Sequence, residues 1–115
     1  MQLQAEVRNQ ILLIRLSESL LQVSKDEPIF KVADEHIAEG IRQCAIDISQ
    51  VTYMSSAGLG ALIVLLTKFR NKGGELVLIN PSEKVRSLLL ITKLEGIFSV
   101  FNTVEEALQS LQPIT

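Results

Sequence analysis

Between Tyr53 and Leu62 the chain reads YMSSAGLGAL, with adjacent hydroxyls at Ser55 and Ser56 and glycines at Gly58 and Gly60. Adjacent serines ahead of a helical segment can serve several chemistries, and spacing separates them. A nucleophile elbow requires a glycine two positions to either side of its serine; Gly58 follows Ser56 at that distance, but Met54 occupies the earlier position. A phosphate-cradling loop requires lysine and a hydroxyl residue after its last glycine, and Gly60 is followed by Ala61 and Leu62. Helix capping needs one side-chain oxygen to accept an N-terminal amide, a bond worth about 1 kcal/mol, and this leaves a second hydroxyl over. Alternatively, both serines satisfy loop backbone. Gly58 and Gly60 read as positions where the helix start packs closely against its neighbours.

The remaining chemistry-bearing residues exclude more than they offer. His36 is the only histidine, which removes most zinc-ligand sets and most nucleophile-plus-base pairs, and it reads as a helix-surface residue. Cys44 is the only cysteine, so no intramolecular disulfide can form, and beside an apolar run it reads as a small buried hydrophobe. No metal set and no convergent acid/base pair is visible, so the expectation is a protein that is not an enzyme and carries no cofactor.

The net charge is −2, with basic residues spread along the chain, a distribution without an electrostatic footprint for nucleic acid. The opening MQLQAEVRNQILLIRL lacks a basic leader region, and Arg15 cuts its apolar run. Elsewhere the longest apolar runs, such as GALIVLLT, fall short of the roughly 18 to 20 residues of a membrane span. A soluble, cytoplasmic protein without membrane insertion is expected. With 115 residues, 47% hydrophobic and 21% charged, residues 1–115 are expected to form one domain around one core.

The elements that must position the serines follow from hydrophobic period. LQAEV alternates, and ILLIRL is a near-continuous apolar run; Arg8, Asn9 and Gln10 form the polar turn of a hairpin between them. Residues 17–25 have no clean period and read as a loop. A helix is predicted from Asp26 or Glu27, with Pro28 in its first turn and Ile29, Val32, Ala33, Ile37 and Ile41 on one face, ending near Gly40. CAIDIS, residues 44–49, is a short strand. From 57 to 72, Leu59, Leu62, Ile63, Leu66 and Phe69 follow the spacing of a core-facing helix, stopped by Gly73 and Gly74. ELVLI is a strand, and Asn80 with Pro81 reads as a cap and first helical residue of a helix with core face Val85, Leu88, Leu89 and Thr92, ended by Gly96. IFSVF is a last strand, Thr103 and Glu106 a capping box for a terminal helix, and QPIT a frayed tail. The order β-β-α-β-α-β-α-β-α defines an α/β fold with a mixed, mostly parallel sheet. The serines fall at the carboxyl end of a strand, where such sheets place their sites.

Residues 47–108, DISQVTYMSSAGLGALIVLLTKFRNKGGELVLINPSEKVRSLLLITKLEGIFSVFNTVEEAL, resemble the STAS domain of bacterial anti-sigma factor antagonists. The resemblance rests on a strand ending in aspartate, the SSAGLG turn, a helix closed by KGGELVL, the V..LL..T.L...F segment and the T.EEAL terminal helix. It implies a single STAS domain that regulates transcription by protein–protein contact rather than catalysis. Such a protein binds an anti-sigma factor, often itself a serine kinase, and so releases a sigma factor. The kinase phosphorylates a serine in the turn, ending the binding, and a serine phosphatase resets it. Aligned on the family pattern, Ser56 is the phosphoacceptor, with Ser55 as the alternative acceptor. Ser55, Ser56, Ala57, Gly58 and Leu59 are then the candidate partner-binding residues. Two departures are visible: Ser55 stands where the family usually has aspartate, and SESLLQVSKDEP replaces the usual glycine and aspartate after the second strand. They leave open a second role, a non-switching STAS subunit of a signalling assembly or of a lipid-transport ATPase complex.

Overall fold

A computed structural model describes residues 3–17 and 28–111. The elements run β1 (Leu3–Arg8), β2 (Ile11–Leu16), α1 (Pro28–Ala38), β3 (Gln43–Asp47), α2 (Ser56–Arg70), β4 (Glu75–Ile79), α3 (Glu83–Ile91), β5 (Ser99–Phe101) and α4 (Val104–Leu111). This is the predicted alternation. The five strands form one sheet whose spatial order is the chain order. β1 pairs antiparallel with β2, and every later neighbour is parallel. The expected α/β class with a mixed, mostly parallel sheet is therefore what forms. The expected loop beyond Ser17, the helix start at Asp26 or Glu27 and the frayed tail lie outside the described residues.

The helices take sides for a reason of handedness. From β2 to β5 each parallel strand is laid on the same side of the last, and right-handed crossovers then put every intervening helix on one face. On that face Leu12, Ile14 and Leu16 of β2, Cys44 and Ile46 of β3 and Leu76 and Leu78 of β4 meet the apolar sides of α1, α2 and α3. The other face, with Ile11, Leu13, Ala45, Val77 and Ile79, is covered by Ala107 and Leu111 of α4. Burial on both faces is why ILLIRL and ELVLI read as continuous apolar runs rather than alternating ones. Cys44 is wholly buried, and burial pushes its thiol far above the ordinary range, so it stays protonated and inert, as the sequence predicts. Among the described residues no helix is long and apolar enough to cross a membrane.

Connections account for most differences from the sequence expectation. The hairpin turn is Asn9 and Gln10 alone, at φ 52° and 67°, because a two-residue turn matching the strand twist needs left-handed residues; Arg8 instead pairs with Ile11. α1, α2 and α3 each stop at a left-handed residue: Gly40, Gly73 and Lys93. In each the next amide reaches back to the last turn: Ile41 to the His36 carbonyl at 3.0 Å, Gly74 to Phe69 at 2.9 Å and Leu94 to Leu89 at 2.8 Å. The stop of α3 is therefore Lys93, not Gly96. Asn80 does not cap α3: its amide donates to the Phe101 carbonyl at 2.7 Å and its φ is 49°, which ties it to β5. Ser82 caps instead, accepting from the Val85 amide at 3.3 Å. Thr92, expected in the core, is the exposed residue that caps the carboxyl end of that helix, and its hydroxyl donates to the Leu88 carbonyl at 2.7 Å. β3 stops at Asp47, two residues early, because its Oδ1 accepts the Ser49 amide at 2.9 Å and turns the chain. In α4, Thr103 Oγ1 accepts from the Glu106 amide at 3.1 Å, the predicted cap. Gly74 is required by a close approach, since a Cβ there would overlap the Arg42 carbonyl, which accepts the Glu75 amide at 3.2 Å. Gly60 has open space around it, contrary to the close packing expected of it.

Candidate functional site

β3 leads into the serines through a segment pinned at both ends. The Ile48 amide donates to Ile79 in β4 at 3.1 Å, and Val51 and Met54 are buried, so the chain between them is held against the sheet. Tyr53, between two buried anchors, is 54% exposed. The extended backbone at Ser55, φ −83° and ψ 170°, makes it the cap of α2, and its Oγ accepts the Gly58 amide at 3.1 Å. Its carbonyl accepts the Leu59 amide at 3.0 Å. The two serines are thus divided: Ser55 holds the helix start, and Ser56, the first helical residue, presents its side chain to solvent.

Of the five candidate partner-binding residues, Ser56 and Ala57 are exposed and Ser55 is half-buried, whereas Gly58 is buried and Leu59, 3% exposed, belongs to the core. Leu59 packs with Leu62, Leu65, Leu66 and Phe69 beneath α2, a stripe wider than predicted by Leu65 and Ala61. Asp47, the aspartate that closes β3, is taken up locally by the Ser49 amide and lies 4.0 Å from the Arg15 Nε. His36 lies on α1 with its Nδ1 2.7 Å from the Val32 carbonyl.

The exposed start of α2 forms one wall of an open groove of about 1100 Å³, with α3 along its length, from Glu83 to Ile91, opposite. Tyr53, Leu88 and Ile91 give it an apolar floor and rim, and Glu83, Lys84 and Arg86 supply charge. Ile91 is 77% exposed, a large apolar side chain pointing away from the core. Arg86 is held in place: its Nε donates to the Pro81 carbonyl at 3.1 Å and its Nη2 to Asn102 Oδ1 at 3.4 Å. The first turn of α2 carries no acidic side chain, so the positive end of the helix dipole at Ser56 is not neutralised by its own residues. The α3 wall was not named from sequence. Its signal was Ile91, an isoleucine off the predicted core face of Val85, Leu88 and Leu89.

The sheet order, the capped turn and the groove beside it define a STAS domain, and the STAS domain profile matches residues 2–107. The chain belongs to that family. A relative in Thermotoga neapolitana, provisionally named an anti-sigma factor antagonist, is 32% identical over 81 residues, 70% of this chain and 72% of the relative. A crystal structure of a provisionally named anti-sigma factor antagonist from Thermotoga maritima superposes with a TM-score of 0.83 at 24% identity, covering 96% of this chain and 95% of that one. The anti-sigma factor antagonist SpoIIAA in its unphosphorylated form superposes at 0.73 and 21% identity, covering 98% of this chain and all of that one. SpoIIAA of Bacillus has also been solved phosphorylated, at a TM-score of 0.69 and 22% identity over 95% of this chain and 98% of that one.

Proposed function

We propose that this protein is an anti-sigma factor antagonist, switched by phosphorylation of Ser56. The observation that carries the reading is the division of labour between the serines. Ser55 is committed to the helix cap, while Ser56 stands exposed at the first turn of α2 and on the rim of a groove with apolar and charged walls. In the unphosphorylated protein that groove receives an anti-sigma factor, and the sigma factor is released. A kinase, the anti-sigma factor itself or a partner of it, directs the Ser56 Oγ at the terminal phosphorus of ATP. The O–P bond forms as ADP leaves, and the serine proton passes to the kinase base or to water. The product carries about −1.5 to −2 charges and three acceptor oxygens. At the positive end of α2 the domain tolerates that charge, but a partner packed on the same surface must desolvate it. Binding ends without refolding. A phosphatase restores the serine by adding water across the O–P bond.

The test has two parts. Phosphosite mapping of the protein from its own cells, in growth and under stress, is expected to find phosphate on Ser56 that changes with condition. Calorimetry with the anti-sigma factor is expected to show Ser56→Ala binding as tightly as unmodified protein and Ser56→Asp weakened by about tenfold or more, the effect of one buried unpaired charge. Equal affinities for all three, or phosphate confined to Ser55, would overturn the assignment.

A further inference from the structure

If Ser56 is the phosphorylated residue, the new dianion enters a groove whose charged groups come almost entirely from one wall. α3 supplies Glu83, Lys84 and Arg86, the segment before α2 supplies the Tyr53 phenol, and the first turn of α2 supplies no acid. Arg86 is tethered by its bonds to the Pro81 carbonyl and Asn102 Oδ1, which fix its side chain along α3 while leaving its charge in place. Glu83 and Lys84 are consecutive on α3, and consecutive helical residues do not face one another. The ion pairs among the described residues engage Arg8, Arg15, Lys68 and Arg70, none of which lines this groove. Among the described residues nothing holds the Lys84 ammonium, and it lines the same groove as Ser56.

Resting on the phosphorylation reading, we propose that Lys84 is the receptor of the Ser56 phosphate within the chain. The phosphoryl oxygens and the Lys84 ammonium pair across the groove. Phosphorylation then acts twice on a partner: it adds a dianion on one wall and withdraws the untethered cation from the other. What remains on the α3 wall is the Glu83 carboxylate, the Arg86 guanidinium tethered at its own end of the wall and the apolar Leu88 and Ile91, so a partner that docks through a carboxylate loses one of the two cations of that wall, the untethered one, when the serine is modified. Lys84 is thus a specificity-determining position, although it lies 28 residues from the modified serine in the chain.

The experiment uses the full chain with phosphoserine installed at position 56 by genetic-code expansion and follows the phosphate through its second ionisation by 31P NMR. With Lys84 present the titration midpoint is expected to lie about 0.5 to 0.8 pH unit below that of Lys84→Ala, the effect of one cation about 4 to 6 Å away in water. Lys84→Arg should keep the low midpoint, and Lys72→Ala, which removes an equal charge beyond the far end of α2, should leave it unchanged. The difference should collapse in about 1 M salt, where the Debye length falls to about 3 Å. Coincident titrations of the phosphorylated wild type and Lys84→Ala, or an equal shift in Lys72→Ala, would overturn the proposal. Because the phosphate is installed directly, such a result falls on Lys84 alone, whereas absence of cellular phosphate on Ser56 falls on the switch.

Discussion

Two glycines in this chain have opposite needs, and replacing each with alanine should move stability in opposite directions. Gly60 is the fifth residue of α2, inside the helix, with ordinary right-handed backbone and no atom within 4 Å of where a Cβ would sit. Nothing in the fold needs its freedom, so Gly60→Ala recovers the helix-propensity deficit of glycine, about 1 kcal/mol. For a domain of this size that raises Tm by roughly 3 to 6 °C. Gly74 is different. A Cβ there overlaps the carbonyl of Arg42, a backbone atom that cannot rotate away, and that carbonyl accepts the Glu75 amide where β4 joins β3. Overpacking and the loss of that bond together should cost about 3 to 4 kcal/mol. The assay is urea denaturation followed by circular dichroism, with calorimetric melting of the same samples. Loss of stability in Gly60→Ala, or a neutral Gly74→Ala, would refute the assignment of which glycine is structural.

Ser55→Ala should cost about 1 kcal/mol through loss of the α2 cap, while Ser55→Asp, an equally good cap carrying a charge favoured at a helix start, should match or slightly exceed wild type in a thermal melt. Cys44 should resist thiol reagents in the native state and react at the unfolding rate. Its pH signature has a definite sign: the folded thiol is raised above its ordinary value of 9.0, so its contribution is constant below that pH. Above it the unfolded state ionises first, and stability should fall by up to about 1.4 kcal/mol per pH unit. Cys44→Ala, though destabilised by its cavity, should lack that alkaline slope.

What was legible in the sequence was whatever depends on hydrophobic period. β2 and β4 appear at their predicted residues because burial on both faces leaves unbroken apolar runs, and α2 appears because its stripe repeats over four turns. The misreadings have two causes: a local signal overruled by a distant partner, and a left-handed or side-chain-bonded turn at a residue that does not announce it. Asn80 and Pro81 carry a sound helix-start signature, but the Asn80 amide is claimed by Phe101, more than twenty residues away, and the cap moves to Ser82. The stop of α3 is hidden because Lys93, a side-chain residue, adopts the left-handed backbone that glycine adopts at the ends of α1 and α2. The site was half visible. Composition and spacing isolated the serines, and the structure divided their roles, but the wall opposite is built by α3, which no pattern around Ser56 could reveal.

The agreement between strand order along the chain and across the sheet bears on how the molecule is made. Of this sheet, a polypeptide leaving the ribosome delivers the β1–β2 hairpin before the other strands, and each later strand then docks on an edge already present, so nothing is ever threaded between strands that have paired. The helices that arrive in between all cover the same face. The other face waits for α4, which follows all five strands in the chain, and until Val104–Leu111 emerges the apolar side chains of Ile11, Leu13, Ala45, Val77 and Ile79 have no lid. Stalled synthesis or proteolytic trimming before residue 104 therefore yields a sheet with one adhesive side, a species for chaperones and proteases rather than for signalling.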